Sequence, residues 1–286
     1  MKIKILILGA SGMLGSTLFR YFSLNSSFDT YGSVRTLESV RDLLKNGSKN
    51  LIGNVDVLNS DDLIHLFENI RPNIVINCVG LVKQLSSAED PLMVLPLNSV
   101  LPHKLAKICA LANARLVHFS TDCVFSGSQG LYKESDFADA QDLYGRSKFL
   151  GEVDYPHAVT LRTSIIGHEL NSSKSLVCWF LSQLNSVNGF KKAIFSGLPT
   201  IEIAKIIEQY VLPYPQIKGL YHLSAEPISK FDLLSLVAQQ YAKNIEIIPN
   251  DVFQIDRSLD SNKFQMATGF RSKPWKQMIK EMYDFK

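Results

Sequence analysis

Residues 3–8, Ile-Lys-Ile-Leu-Ile-Leu, are a short branched apolar run of the kind that forms a buried strand. Glycines 9, 12 and 15 follow, and apolar positions at helical spacing then fill 13–22. The same alternation continues along the chain. Strands are predicted at 30–34, 51–55, 74–79, 115–120 and 158–162, and helices at 37–44, from 60 to Pro72, at 98–112 and at 143–153. Near-continuous apolar strands alternating with helices predict a parallel sheet covered on both faces. After about residue 165 the rhythm changes. Helices are predicted at 175–184, 199–211, 229–241 and 275–282, with a short strand at 219–223 and further short strands towards the end. The predicted fold is α/β: a Rossmann-type doubly wound parallel sheet, 1–165 plus about 198–224, with a smaller interleaved α+β lobe from 166–197 and 225–286.

Composition narrows the function. Of 286 residues, 46% are hydrophobic and 20% charged, which are globular values. Thirty Lys and Arg against 27 Asp and Glu leave a net charge of +3 without any basic run, so no nucleic-acid partner is expected. No signal segment or apolar stretch of about 20 residues is seen, so a cytoplasmic protein without a membrane partner is expected. Cys78, Cys109, Cys123 and Cys178 are widely spaced, which predicts reduced thiols rather than a metal site.

Three groups of residues carry candidate chemistry. Gly9-Ala-Ser11-Gly12-Met13-Leu14-Gly15 lies between a strand and a helix. Glycines there let the backbone approach a pyrophosphate, and the helix start offers free N–H groups and a partial positive charge. Arg35 closes the second strand where an acidic residue would take a ribose 2′-hydroxyl. An arginine suits a 2′-phosphate, so NADP(H) is expected rather than NAD(H). Asp56-Val57 follows the third strand, either at the adenine edge or as a helix cap. Tyr144 and Lys148 stand four apart, on one helix face. An unperturbed tyrosine titrates near 10, and a neighbouring ammonium lowers that towards working pH. Ser120-Thr121, at the end of the fifth strand, offers a hydroxyl to a substrate carbonyl. His118 falls within that strand and reads as a packing residue. Trp179 is placed either at the substrate or as an anchor of the smaller lobe.

The glycine turn, Ser120-Thr-Asp122-Cys123-Val124-Phe125-Ser-Gly127 and Tyr144-Gly-Arg-Ser-Lys148-Phe-Leu-Gly151-Glu152 resemble an extended short-chain dehydrogenase/reductase. More narrowly, they resemble the dTDP-4-dehydrorhamnose reductase branch, as do Arg162-Thr-Ser164 and Gly197-Leu-Pro-Thr200. The resemblance spans essentially the whole chain and is strongest over 1–165. It implies an NADPH-dependent reductase of a nucleotide-linked 4-keto-6-deoxy sugar, with Thr121, Tyr144 and Lys148 catalytic and a homodimer as a possible assembly. The implied cofactor contacts are the turn from Gly9 to Gly15, Arg35, Asp56, Val57, Cys78, Val79, Gly80, Ser120, Tyr144 and Lys148. The implied sugar contacts are Lys83, Asp122, Cys123, Val124, Phe125, Ile165, Trp179 and Thr200. The chain departs from the branch at three of its sugar-facing places. Ile165 stands where a tryptophan is usual, Cys123 where an aromatic is usual, and Gly80-Leu-Val-Lys83-Gln84 replaces a loop with His and Thr. UDP- or GDP-linked keto sugars therefore stand beside the dTDP-linked one.

Two rival readings share the fold. A sugar-nucleotide dehydratase resembles this pattern but carries an acid where Cys123 stands, and an epimerase tends to retain NAD, which Arg35 disfavours. A non-catalytic NADP-binding subunit, as in the regulatory subunit of methionine adenosyltransferase, is the other. The intact Thr121, Tyr144 and Lys148 argue against it.

Overall fold

A computed structural model describes residues 2–41, 43, 50–81 and 89–286. Its largest element is a seven-stranded sheet. The strands are β1 (Ile3–Leu8), β2 (Phe28–Ser33), β3 (Leu51–Ile52), β4 (Ile74–Asn77), β5 (Arg115–Ser120) and β6 (Ala158–Arg162), with a late strand, Gly219–His222. They lie in the order β3-β2-β1-β4-β5-β6 with Gly219–His222 outermost. The pairings from β3 through to β5 are all parallel. The chain leaves β1 towards β2 and returns to β4 on the other side, so strand order reverses between β1 and β4. In such sheets a ligand crevice opens at that point, outside the carboxyl ends of the strands.

Local chemistry accounts for the helices that matter here. Met13–Leu24 starts directly after the glycine turn with Gly12 as its cap. Ser60–Ile70 is capped by the Asn59 side chain, which accepts from Asp61 N, and ends on Arg71 in the left-handed region, with φ 52°. Leu143–Leu150 is capped by Asp142, whose carboxylate accepts from Gly145 N at 2.8 Å. The helix predicted from residue 98 begins earlier. Pro91–Leu95 passes through a π-helical turn at Pro96–Val100 into Leu101–Leu111. Proline lacks the N–H that a helix interior needs. The wider turn takes Pro96 at its start, where Leu101 N reaches back five residues to Pro96 O.

Two compact units divide the chain. The first comprises Met1–Ser120, Asp142–Leu161 and Pro215–Leu220, and the second Thr121–Gln141, Arg162–Tyr214 and Tyr221–Lys286. In the first unit, Leu6, Leu8, Leu66, Phe67, Val75, Leu105 and Leu116 belong to one buried cluster between sheet and helices. The second holds the short strands β7 (Ile165–Ile166) and β9 (Leu198–Pro199), paired in parallel. It also holds a three-stranded sheet in which β8 (Ser186–Phe195) lies between β11 (Ile228–Ser229) and β12 (Glu246–Asp256), Gly219–His222 being β10. Both β8 and β12 are long, 10 and 11 residues, where loops and short strands were expected. Asn188, Gly189 and two lysines in β8, and Pro249-Asn-Asp in β12, read as turn chemistry; cross-strand pairing overrides that preference. No helix of the described residues is long and apolar enough to cross a membrane.

Candidate active site

In the first unit the three glycines have three different jobs. Gly9 has φ +79°, the left-handed conformation of a sharp turn. A Cβ on Gly15 would lie 2.1 Å from Gly9 O and 2.8 Å from Gly9 C, so only glycine lets the helix pack on that turn. A Cβ on Gly12 would meet only Gly9 O, at 3.5 Å, leaving open space over the start of the helix. The first N–H groups of Met13–Leu24 have no partner within a helix, and Gly12 gives no side-chain cap. A bare backbone with free donors at a switch point suits a pyrophosphate. Arg35, two residues beyond β2, is exposed. Asp56 is exposed too; its carboxylate accepts from Leu58 N at 3.0 Å, and the cap of the next helix is Asn59.

The loop after β4 is fixed from within. Asn77 Oδ1 accepts from Val79 N at 3.1 Å, which turns its amide nitrogen to His118 Nδ1, also at 3.1 Å. The His118 ring proton is thereby assigned to Nε2, a buried atom with no hydrogen-bond partner among the described residues. Burial holds this imidazole well below its usual value and therefore neutral. It is a structural pin for Cys78 and Val79, in line with the packing role expected of it. Further along, Asn98 Oδ1 accepts from Leu81 N at 2.9 Å and Asn98 Nδ2 donates to Ser147 Oγ at 3.2 Å. A Cβ on Gly151 would lie 1.9 Å from Asn98 O. The π-turn and the Tyr144–Lys148 helix therefore pack backbone to backbone.

Lys148 is buried, and its Nζ donates to Phe119 O in β5 at 2.7 Å. Burial lowers its ammonium to about 8, against the opposing pull of Glu152 and Cys78. The Cys78 thiol is itself pushed far up by burial. A Cβ on Gly80 would come 3.9 Å from Lys148 Nζ, so the loop after β4 leaves room at this amine. Tyr144 lies one turn before Lys148 and is half-buried. Ser120 Oγ donates to Glu152 Oε1 at 2.7 Å.

A lysine held at about 8 when folded and near 10.4 when unfolded binds fewer protons in the folded state between those values. Stability therefore rises with pH across that window, and below it the buried charge is a cost of about 3 kcal/mol. Lys148→Met should make the ligand-free protein more stable at pH 7, by roughly 1–3 kcal/mol, and remove that rise. Urea unfolding at pH 7 and pH 10 checks both; a Met variant less stable at pH 7 would contradict the buried-charge account.

Thr121 opens the second unit as the cap of a short turn, Asp122–Val124. Its Oγ1 accepts from Cys123 N and donates to Asp122 Oδ1, each at 3.1 Å. Asp122 is buried, and burial raises its carboxyl against the opposing effects of Arg257 and of hydrogen bonds from Thr121, Cys123 and Ser164. Val124 and Phe125 are fully buried with Tyr132 and Leu259, and Phe125 stacks on Tyr132 at 4.1 Å, so both pack rather than open outward. Arg162, also buried, donates to His222 Nε2 at 3.2 Å, while His222 Nδ1 donates to Tyr132 O at 2.9 Å. Ile165 is half-buried, Trp179 is 37% exposed, and Thr200 is buried at the start of the helix Thr200–Ile206. Lys83 lies outside the described residues. Sequence reasoning missed Lys230 and Arg257. Arg257 Nε donates to Phe125 O at 2.8 Å and its Nη1 to Cys123 Sγ at 3.7 Å. Lys230 interacts electrostatically with Asp122 and Cys123.

Residues 3–285 match the sequence model of a family described as the RmlD substrate binding domain. Over 305 aligned residues, covering 98% of each chain, the sequence is 24% identical to a dTDP-4-dehydrorhamnose reductase of Aggregatibacter actinomycetemcomitans. It is 25% identical over 251 residues to methionine adenosyltransferase 2 subunit beta of Mus musculus, covering 83% of this chain and 72% of that one. A crystal structure of the dTDP-4-dehydrorhamnose reductase of Bacillus anthracis str. Ames in complex with NADP superimposes with a TM-score of 0.82. At 19% identity over 100% of this chain and 99% of that one, this is a likeness of fold.

Proposed function

We propose, from the premise that this chain belongs to the RmlD substrate binding domain family, that it is an NADPH-dependent reductase of a nucleotide-linked 4-keto-6-deoxy sugar. The observation that carries this is a bare glycine turn at the sheet's switch point together with a tyrosine one helical turn from a buried lysine. The open space over Gly12 fits the pyrophosphate of a dinucleotide, which Met13 and Leu14 would hold through backbone N–H groups. Arg35 takes the 2′-phosphate, Asp56 and Val57 the adenine edge, Cys78–Gly80 and Ser120 the nicotinamide end, and Lys148 the ribose. NADPH, when bound, supplies the hydride for the carbonyl carbon.

The chain's own residues manage the proton. Tyr144 releases its hydroxyl proton to the keto oxygen, Thr121 Oγ1 turns its one hydrogen from Asp122 Oδ1 to that oxygen, and the Lys148 ammonium stabilises the tyrosinate left behind. Asp122, Cys123, Ile165, Trp179 and Thr200, all in the second unit, face the sugar. Leu92, Met93, Val100 and Leu150 stand exposed on the first unit and favour pairing with a second copy. The reaction belongs to the cytoplasm, where reduced cofactor and nucleotide sugars meet.

NADPH consumption with dTDP-, UDP- and GDP-linked 4-keto-6-deoxy sugars, with NADH alongside, tests this. Turnover of one of them is expected, with NADPH preferred. In Arg35→Ala the preference for NADPH over NADH, as a ratio of kcat/KM, should fall by about tenfold or more. The likeness to methionine adenosyltransferase beta subunits supports a second reading, a non-catalytic NADP-binding subunit. NADPH binding without turnover of any substrate in the panel would favour it.

A further inference from the structure

The strand that receives the buried cation of the first unit also receives a carboxylate. Lys148 Nζ donates to Phe119 O at 2.7 Å, and the next residue of β5, Ser120, donates its hydroxyl to Glu152 Oε1 at 2.7 Å. Neighbouring Cα atoms are about 3.8 Å apart, so adjacent positions of one strand hold both charged groups. The backbone that carries Glu152 is fixed on either side. Gly151 packs against Asn98 O and donates to Ser147 O and Lys148 O, and Glu152 N donates to Phe149 O. Val153 is tied to β6 in both directions by Thr160 Oγ1, at 3.0 and 2.9 Å. Glu152 is thereby set one helical turn beyond Lys148, half-buried, with its carboxylate turned in to β5.

The titratable groups about Lys148 are Tyr144 one turn before it, Glu152 one turn after it, His118 in β5 and Cys78 in the loop after β4. Burial keeps His118 a neutral imidazole and Cys78 a thiol, which leaves Glu152 as the carboxylate of the group. A desolvated ammonium needs an opposite charge close by. We propose that Glu152, anchored to β5 through Ser120, is a positioning residue that acts through Lys148: its carboxylate is the countercharge that holds the buried ammonium beside Tyr144. The consequence for turnover rests on the reductase reading above; the countercharge itself does not.

Glu152→Gln tests it, because a glutamine oxygen still accepts from Ser120 Oγ and only the charge is lost. In the full ligand-free chain, with carbon-13 at the lysine Cε, the NMR resonance that disappears in Lys148→Met should titrate near 8 in wild type and about one pH unit lower in Glu152→Gln. The alkaline limb of kcat against pH, which follows loss of the ammonium, should move down by the same interval. At pH 6, where both amines carry their charge, kcat should differ by no more than about twofold. Ser120→Ala keeps the charge and removes the anchor, and should lower the Lys148 midpoint in the same direction by less. An unchanged or raised midpoint in Glu152→Gln overturns the inference, and where that variant does not fold, an unchanged midpoint in Ser120→Ala does so instead. A loss of kcat that is equal at pH 6 and pH 8 overturns it too, since that is what a merely structural role would produce. The titration needs no substrate, so absence of turnover from every substrate of the panel counts against the reductase reading and not against the countercharge.

Discussion

Tyr144→Phe should fold, bind NADPH with unchanged affinity and turn over roughly 10²- to 10⁴-fold more slowly. The ring survives, so the packing of Leu143–Leu150 survives with it; what is lost is the phenolic proton assigned to the keto oxygen. The expectation is sharpened by Lys148. Burial lowers its ammonium to about 8, so it sits close to losing its charge in the working range. Stopped-flow absorbance at 340 nm separates hydride transfer from release, and cofactor fluorescence gives the NADPH affinity. Unchanged single-turnover rates in the Phe variant would remove Tyr144 from the chemistry. Loss of NADPH binding would place it in the cofactor site alone.

The second large effect falls on the glycine turn, where two conservative changes should behave differently. In Gly15→Ala the new methyl group meets Gly9 O at 2.1 Å and Ala10 Cα at 3.1 Å, both backbone atoms that no rotamer can move. The helix must lift off the turn, at a cost of about 1–3 kcal/mol or more, and NADPH affinity should fall by at least about a hundredfold, because the N–H groups lift with it. In Gly12→Ala the backbone already has φ −76°, and the methyl group meets only Gly9 O at 3.5 Å. Stability of the ligand-free protein should stay within about 0.5 kcal/mol of wild type, while NADPH binding weakens because the methyl group occupies the approach of the pyrophosphate. Thermal unfolding with and without NADPH reads both. Wild-type binding by Gly12→Ala would refute the role given to that open space.

The first half of the fold was legible because its strands are buried on both faces. The bounds predicted for β1, β5 and β6 are the ones observed, since a short apolar run bounded by turn residues and rich in branched side chains suits a strand covered on both faces. The Tyr144–Lys148 pair and the glycine turn were legible for a related reason: their geometry is local, set within one helix or one turn. What was hidden is non-local. The early start of the helix at Pro91 was masked by Pro96 and Pro102, which a π-turn and a first-turn position accommodate. The ladder of β8 with β12 joins stretches that each look like loops. Lys230 opens the helix after β11 and Arg257 follows the end of β12, and no spacing in the sequence links either to Cys123.

The outermost place of β10 has a consequence for how the chain is made. Arg162 at the end of β6 and His222 at the end of β10 are 60 residues apart in sequence, and β10 is the strand that covers β6. A ribosome adding roughly 5–20 residues per second leaves β6 as a bare edge for several seconds after it emerges. During that wait the guanidinium destined for the interior has water in place of its histidine, and the unpaired backbone of β6 is open to any other extended chain. Every nascent or truncated chain that ends before Gly219 carries that edge open, so the interval between these two strands is when the newly made protein most needs a chaperone.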